Sequence, residues 1–276
     1  MPTSADVPAL IAAISAPRLS SYRKFFQPQT DEELLGVYLW HEDVCAALNR
    51  NLKWVEVTMR NRFHRALSQR YGTGAAGPSR DWYHHLNLSS HSRDSVRKVT
   101  HSTTGQLRRP APAPDDVVAK QTLGFWPALL DVSQDVRGTR LAWGDILIEV
   151  VPGHRQNTAA YWRAQAHRDA LFARLDLCRY LRNRIAHHEP IWKQGALYEE
   201  SRPRQRRPVA LAAPAPRTPG EAVQRLKLQH DRVMDLLHWL SPEVASMVKD
   251  GTSYQDAEKL LQPGALDLYR QNLPLP

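Results

Sequence analysis

Apolar residues recur at helical spacing through most of this chain of 276 residues. The clearest block covers residues 30–71, where Thr30 and the acids that follow it give an N-cap and a negatively charged first turn. Apolar positions then repeat at helical intervals, at Leu34, Leu35, Tyr38, Leu39, Val44, Ala47 and Leu48. Because the block is longer than a typical helix, we expect a bend near 49–53 and a second apolar stripe that begins at Trp54.

Several further segments show the same periodicity. We predict helices at 91–107, 114–132 and 157–189, and another beyond Gly220 that is followed by two short helical pieces. Pro127 should kink or end the second of these helices. The apolar run at 145–150 fits a helix and a strand equally well, and we expect residues 79–88 to form an irregular, aromatic connector.

Residues 201–219 differ from the rest of the chain in composition. Five arginines stand among prolines in this stretch, at Arg202, Arg204, Arg206, Arg207 and Arg217. Such a segment lacks the apolar residues that a packed element needs, so we expect a flexible basic insertion. The sequence therefore predicts a single all-α domain over residues 1–276 that carries this insertion.

The charge of the chain favours a polyanionic partner. It has 37 Lys and Arg against 28 Asp and Glu, a formal net charge of +9 and an isoelectric point near 9.8. Nucleic acid is the natural candidate for such a balance. Motifs of other common chemistries are absent from the sequence, which has no phosphate-binding GxxxxGK[ST], no GxGxxG and no CxxC pair.

The two cysteines and the N-terminal apolar run indicate where in the cell the protein is expected. Cys45 and Cys178 both fall within apolar helical patterns, where a small buried side chain is the favoured interpretation. We therefore expect a reducing, cytoplasmic location. The apolar run at 9–14 is too short for a signal core or a membrane span, so no membrane partner is expected.

The segment at 180–190, which we call the motif segment, combines an arginine, an amide and two histidines just before a proline. A guanidinium can hold a phosphate through two parallel hydrogen bonds, and imidazole can move protons near neutral pH. RNA supplies its own nucleophile in the 2′-hydroxyl. These residue types can therefore cleave RNA without a metal ion.

The spacing within the motif segment has a geometric consequence. Asn183 and His187 are i,i+4 neighbours on one helix face, whereas Arg182 lies roughly 140° from His187 around an ideal helix. Either the helix is distorted here, or two copies of the segment meet and each supplies part of one site. Pro190 favours distortion because it disfavours helical geometry in the residue before it.

The pattern Arg182-Asn183-x-x-x-His187 resembles the signature of the HEPN superfamily. The longer stretch RNRIAHHEPIW, at 182–192, resembles the Abi-like (abortive infection) branch of that superfamily. Three further stretches are similar to the same branch and lie in the same order, at 19–26, 31–72 and 116–130. The resemblance thus rests on four separate parts of the chain.

The resemblance implies a HEPN-like helical bundle and a homodimer whose composite cleft holds two copies of the motif. It implies a metal-independent, cofactor-free endoribonuclease with Arg182, Asn183 and His187 as catalytic residues. The biological role would be that of a toxin in antiviral defence, restrained until infection by a cognate RNA or protein inhibitor. HEPN proteins also include RNA-binding modules that break no bond, so a non-catalytic RNA binder is the alternative function.

Other residues are candidates for substrate binding. Arg184 and His188 adjoin the catalytic residues, although adjacent histidines point about 100° apart on a helix and only one of them should face a given cleft. The stretch Arg60, Asn61 and His64 echoes the motif one residue short and could equally be a structural polar cluster. Arg204, Arg206 and Arg207 could grip an RNA backbone or form a solvated loop.

We expect no metal site in this protein. His84, His85 and His91 offer imidazoles but have no cysteine or acidic residue at the spacing of metal ligands.

Glu56 and Arg60 are expected to form an i,i+4 ion pair of the favoured polarity on the long N-terminal helix.

Overall fold

The computed structural model describes residues 6–73, 77, 79–202 and 209–272. These residues form thirteen α-helices, one short 3-10 turn and a two-stranded antiparallel sheet, so the all-α prediction is confirmed. The helices are α1 Val7–Ile14, α2 Ala16–Phe26, α3 Asp31–Arg70, α4 Ser90–Thr100, α5 Pro114–Ala119, α6 Phe125–Leu129, α7 Trp143–Val150, α8 Ala159–Arg163, α9 Gln165–Ala186, α10 Pro219–Leu240, α11 Pro242–Lys249, α12 Thr252–Leu260 and α13 Ala265–Arg270. The strands are β1 Leu197–Tyr198 and β2 Leu211–Ala213.

Helix α3 spans 40 residues without interruption, and most of the other helices pack against it. Thr30 caps it as predicted, because its hydroxyl accepts a hydrogen bond from the Glu33 N–H at 3.2 Å. The helix continues through 49–53, where we expected a bend. Its unusual length is stabilised by packing, since α1, α2, α7, α9, α10, α12 and α13 all contact it.

Two groups of buried side chains surround successive parts of α3. The N-terminal core lies along the first half of α3 and includes Tyr22, Trp40 and Trp192. The C-terminal core lies along the second half and includes Phe63 and Trp126. Ile185, in the motif segment, packs against both cores. The end of α9 therefore sits where the two cores meet.

A close approach between two helices depends on the absence of a side chain. A Cβ atom added to Gly36 in α3 would lie 2.1 Å from the carbonyl oxygen of Tyr269 in α13. The Tyr269 hydroxyl also donates to the Asp43 carboxylate at 2.5 Å. Gly36 thus lets α13 lie directly on the N-terminal half of α3.

The predicted helix at 157–189 is two helices separated at Ala164, which is extended. Arg168 stabilises the break, because its guanidinium donates to the carbonyl oxygens of Trp162 and Arg163 at the end of the first helix. The second helix, α9, ends at Ala186 rather than at Glu189.

Other boundaries also differ from the sequence expectation. The helix predicted at 91–107 ends at Thr100, and residues 101–107 form a turn closed by a bridge between His101 and Leu107. The block at 114–132 consists of the short helices α5 and α6, while the ambiguous run at 145–150 belongs to helix α7. Three short helices follow α10 where we expected two. The connector at 79–88 contains the 3-10 turn Trp82–His84, and Trp82 is buried.

The expectation that 201–219 holds no packed element is wrong for 211–213, which form β2 and pair with β1. Ion pairs hold this hairpin against the helices. The buried Arg174 of α9 forms a bidentate ion pair with Glu200 and lies over the Trp239 ring. Arg202 likewise pairs with Asp131.

The two cysteines are free and buried, as their positions in apolar patterns predicted. Burial raises the pKa of each thiol to about 12. Among the described residues, no helix is both long enough and apolar enough to cross a lipid bilayer.

Candidate functional site

The end of α9 has an unusual backbone conformation. The Glu189 N–H donates to the Arg184 carbonyl at 2.7 Å, and the His188 N–H donates to the Ile185 carbonyl at 3.0 Å. These two bonds define a Schellman motif, in which the residue at the position of His188 is usually glycine. His188 has φ = 54°, the left-handed region that a side chain disfavours. Such strain is often retained at functional sites.

The chain after this turn is fixed by polar contacts. The Arg184 guanidinium donates to the Pro190 carbonyl at 2.7 Å and to the Tyr180 hydroxyl at 2.9 Å. It also lies over the Tyr180 ring, 5.4 Å from the centroid. Arg184, which we predicted to contact substrate, is thus half-buried and occupied in holding the turn. Ile191 and Trp192 follow and are buried in the N-terminal core.

His41 of α3 is a second anchor for the same segment. The Ile191 N–H donates to Nε2 of His41 at 3.1 Å, so that nitrogen carries a lone pair and Nδ1 carries the proton. Nδ1 lies 2.9 Å from the Tyr22 hydroxyl. Burial lowers the pKa of His41, so the neutral form is favoured. Sequence reasoning missed His41, although its place on the apolar stripe, four residues after Val37, was a usable signal.

An open pocket of about 460 Å³ lies between α3 and the end of α9. Arg182 and His188 line it from the α9 side, and Lys53 and Glu56 line it from α3. Nε of Arg182 lies 4.0 Å from Oε2 of Glu56, and the Arg182 side chain is 45% exposed. The guanidinium therefore faces solvent within the pocket, next to a carboxylate on the neighbouring helix.

Glu42 adds a second carboxylate to this pocket. Its pKa is lowered, chiefly by a hydrogen bond with His41 and further by the nearby Arg18 guanidinium. Arg18 and Glu42 form an ion pair at 3.7 Å. The pocket thus presents the cations Arg182 and Lys53 beside two carboxylates, with an exposed imidazole at its edge.

The structure brings Arg182 together with His188 rather than with His187. Asn183 and His187 are not among the pocket-lining residues in the described part of the chain. His187 is exposed, and Asn183 is half-buried. This arrangement agrees with the divergence of Arg182 and His187 on an ideal helix. The helix ends at Ala186, and His188, in the left-handed conformation, lines the same pocket as Arg182.

The candidate residues on α3 lie elsewhere. His64 is buried and accepts a hydrogen bond from the Trp82 indole N–H at Nδ1, 2.8 Å away. Its Nε2 lies 3.1 Å from an Asp115 carboxylate oxygen, and burial lowers its pKa. Arg60 donates to the Ala119 carbonyl at 2.9 Å, and Asn61 is exposed. None of the three lines the pocket.

Two further expectations concern charged residues. The predicted Glu56–Arg60 ion pair is not among the ion pairs of the described residues, where Glu56 faces Arg182 instead. Arg204, Arg206 and Arg207 lie outside the described residues.

One group of side chains has the composition of a metal site. His230, Asp231 and Glu258 place a ligand atom each within 4.8 Å of one another. The ammonium of Lys227 lies 2.5 Å from Asp231 and 3.3 Å from Glu258, so it already supplies a positive charge there. His84, His85 and His91 are not part of any such group among the described residues.

The tautomer of His230 also argues against a metal role. The Asn51 amide donates to Nε2 at 3.0 Å, and the Asn51 carbonyl oxygen accepts from Ser253, which fixes the orientation of the amide. Nδ1 of His230 therefore carries the proton and lies 3.3 Å from Glu258. We interpret this group as a polar network that ties α3, α10 and α12 together.

Comparisons with models of protein families, with curated proteins and with solved structures found no match to this chain. The motif residues and the geometry of the pocket are therefore the features that bear on function. That pocket offers a solvent-facing guanidinium and an imidazole, which can hold a phosphate and transfer a proton respectively.

Proposed function

We propose that this protein is a metal-independent endoribonuclease of an abortive-infection system, with a HEPN-like fold. One observation carries the proposal: Arg182, the first residue of the motif, and His188, the residue after the motif histidine, line the same open pocket although their spacing on an ideal helix would separate them. His188 has the left-handed conformation that a side chain disfavours, and the Arg184–Pro190 hydrogen bond beside it helps to hold the turn.

The proposed reaction is transesterification. A histidine removes the proton of the 2′-hydroxyl, whose oxygen forms a bond to phosphorus, and the bond from phosphorus to the 5′-oxygen breaks. A second proton donor protonates the departing 5′-oxygen. Arg182 stabilises the charge on the phosphorane. The products are a 2′,3′-cyclic phosphate and a 5′-hydroxyl, and no metal ion or cofactor takes part.

The two proton transfers are assigned to the two histidines of the motif segment, His187 and His188. His188 serves the pocket of its own chain, next to Arg182. His187 is exposed outside that pocket, so it serves the site of a second copy in a composite cleft. Asn183, four residues before His187 and on the same helix face, is assigned to hydrogen-bond the phosphate or to orient His187.

Exposed apolar side chains next to the pocket support a homodimer. Trp54 and Val57 are 43% and 40% exposed, and they flank the pocket-lining residues Lys53 and Glu56 on α3. These two side chains are i,i+3 neighbours on one helix face, and a contiguous exposed apolar surface can mark a protein interface. A second copy at this surface would bring its own motif segment to the pocket. In the cell, a cognate RNA or protein inhibitor would restrain the nuclease until infection.

Incubation of the purified protein with total RNA in excess EDTA tests the proposal, with chemical analysis of the fragment ends. Cyclic phosphate and 5′-hydroxyl ends that depend on Arg182 would support it. Arg179→Ala is the matched control, because Arg179 lies one turn earlier on α9 and its side chain is 42% exposed, close to the 45% of Arg182. RNA that is bound but left intact by the parent protein would favour the non-catalytic RNA-binding module instead.

A further inference from the structure

A strongly cationic surface lies on α4 and the turn that follows it. We call residues 91–109 the α4 surface. It carries five cations and one carboxylate, Asp94, which leaves a net charge of +4 within 19 residues of a chain whose total is +9. The five cations are Arg93, Arg97, Lys98, Arg108 and Arg109. Nearly half of the excess positive charge of the protein is therefore concentrated in this short region.

Several arginines outside the α4 surface pair with carboxylates, among them Arg23, Arg70, Arg174 and Arg202. Within the described ranges, none of the five cations of the α4 surface forms an ion pair with a carboxylate. Arg93 and Arg108 each donate to a backbone carbonyl. Concentrated charge of one sign is repulsive and is usually retained for a charged partner.

The fold directs this charge outward. The buried side of α4 consists of Ser92, Val96 and Thr100, which leaves Arg97 and Lys98 exposed. The Arg108 N–H donates to the Thr100 carbonyl at 2.9 Å, so the turn folds back and brings its basic end beside the end of α4. The surface is thus a single basic patch built from two adjacent chain segments.

A shallow pocket of about 540 Å³ lies within this patch. Arg97 and Lys98 line it together with His91 and His101, and Ser102 and Thr103 add hydroxyl donors. Asp94 also lines it, so the two cations outnumber one carboxylate there. Hydroxyl and guanidinium donors are the groups that contact phosphate oxygens in nucleic-acid complexes, and imidazole rings can stack on bases.

We propose that the α4 surface binds the phosphate backbone of RNA. This position is separate from the pocket lined by Arg182 and His188, which we call the cleavage pocket. The choice of RNA among polyanions rests on the proposed nuclease function. An anionic membrane fits the surface less well, because only Leu107 offers an exposed large apolar side chain on it among the described residues.

Contacts connect the α4 surface to the cleavage pocket. Arg60 of α3, one helical turn beyond Glu56, donates to the carbonyl of Ala119 at the end of α5. The Ser95 hydroxyl of α4 donates to the side chain of Gln121, two residues further on, at 2.6 Å. These two bonds join α4 to α3 through the segment at 119–121. In this proposal the α4 surface increases affinity for RNA and the pocket carries out cleavage.

The test uses 2′-O-methyl RNA, which binds as RNA does but lacks the free 2′-hydroxyl and stays intact. The variant Arg97→Gln/Lys98→Gln/Arg109→Gln removes three exposed cations of the patch. The control Lys24→Gln/Arg155→Gln/Lys249→Gln removes the same charge from exposed positions elsewhere. Fluorescence anisotropy gives the dissociation constant of each protein as a function of salt, and circular dichroism verifies folding.

We expect the magnitude of the slope of log affinity against log salt to fall by about 2 in the α4 variant, since each lost phosphate contact on a single strand contributes about 0.7. The control should keep the parent slope. Equal slopes in the α4 variant and the parent would overturn the proposal, as would binding to phosphatidylserine vesicles but not to RNA.

The outcome is distinguishable from that of the nuclease proposal. If total RNA is never cleaved but the α4 variant loses salt-dependent binding, the α4 surface is an RNA site and the nuclease proposal fails. If RNA is cleaved and the α4 variant binds like the parent, the nuclease proposal stands and this inference is wrong.

Discussion

The backbone N–H of Ile191 donates a hydrogen bond to Nε2 of His41 across 150 positions of sequence. This bond attaches the segment that follows the motif to the central helix α3. It also fixes the tautomer of His41, because the nitrogen that accepts cannot carry a proton. The walls of the pocket are held together by a neutral, buried histidine.

The state of His41 predicts how stability varies with pH. Burial lowers the pKa of the folded histidine below its usual value near 6.5, so the unfolded chain binds the proton more readily. The stabilisation is therefore complete above pH 6.5 and is lost as the pH falls through the lowered pKa. We expect a lower urea midpoint at pH 5 than at pH 7.5, with a smaller loss in His41→Gln. A midpoint that does not change between these pH values would contradict this prediction.

The left-handed conformation of His188 predicts the effect of glycine there. His188→Gly should be more stable to urea than His188→Ala by about 1 kcal/mol, because glycine adopts positive φ without the steric cost of a Cβ atom. Both variants should lose RNA cleavage, since neither has an imidazole. If the alanine variant proved the more stable of the two, the turn described here would be incorrect.

Arg182 and the two histidines should be needed for cleavage and not for folding. Each of Arg182→Ala, His187→Ala and His188→Ala should reduce the single-turnover rate by about 10²-fold or more, since general acid–base catalysis contributes about 10²–10⁴-fold. Helix content should not change, because all three side chains are exposed. The Arg179→Ala control should cleave at the parent rate. A His187 variant as active and as toxic to cells as the parent would remove His187 from the mechanism.

Cleavage should be independent of metal ions. The reaction uses a guanidinium and imidazoles, so excess EDTA should leave the rate unchanged. The measurement is the initial rate with EDTA, with magnesium and with manganese. Loss of activity in EDTA and its return with either metal would show that the proposed chemistry is wrong.

The homodimer should depend on the exposed apolar side chains of α3. Trp54→Arg/Val57→Asp should shift the mass measured by light scattering from dimer to monomer and abolish cleavage, because a composite cleft needs a second copy. Val136→Asp changes an apolar residue that is 60% exposed elsewhere and serves as the control. A parent protein that is monomeric at micromolar concentration would contradict the composite site.

Local features of this protein were determined by sequence alone. The all-α class, the Thr30 N-cap and the burial of Cys45 and Cys178 follow from periodicity and from hydrogen bonds between near neighbours, which the chain encodes within a few residues. The same holds for the divergence of Arg182 and His187, which is a property of any α-helix. The resemblance that the motif carries also rests on local sequence.

Tertiary structure decided which of these residues meet. The continuous α3 is covered by helices distant in sequence, and this packing overrides the length limit of an isolated helix. His188 joins Arg182 in the pocket because a left-handed turn and the burial of Ile191 on α3 set the path of the chain. Glu56 faces Arg182, and not Arg60, because α9 packs against α3. Such contacts depend on the free energy of packing between distant segments, which the periodicity of any single segment does not contain.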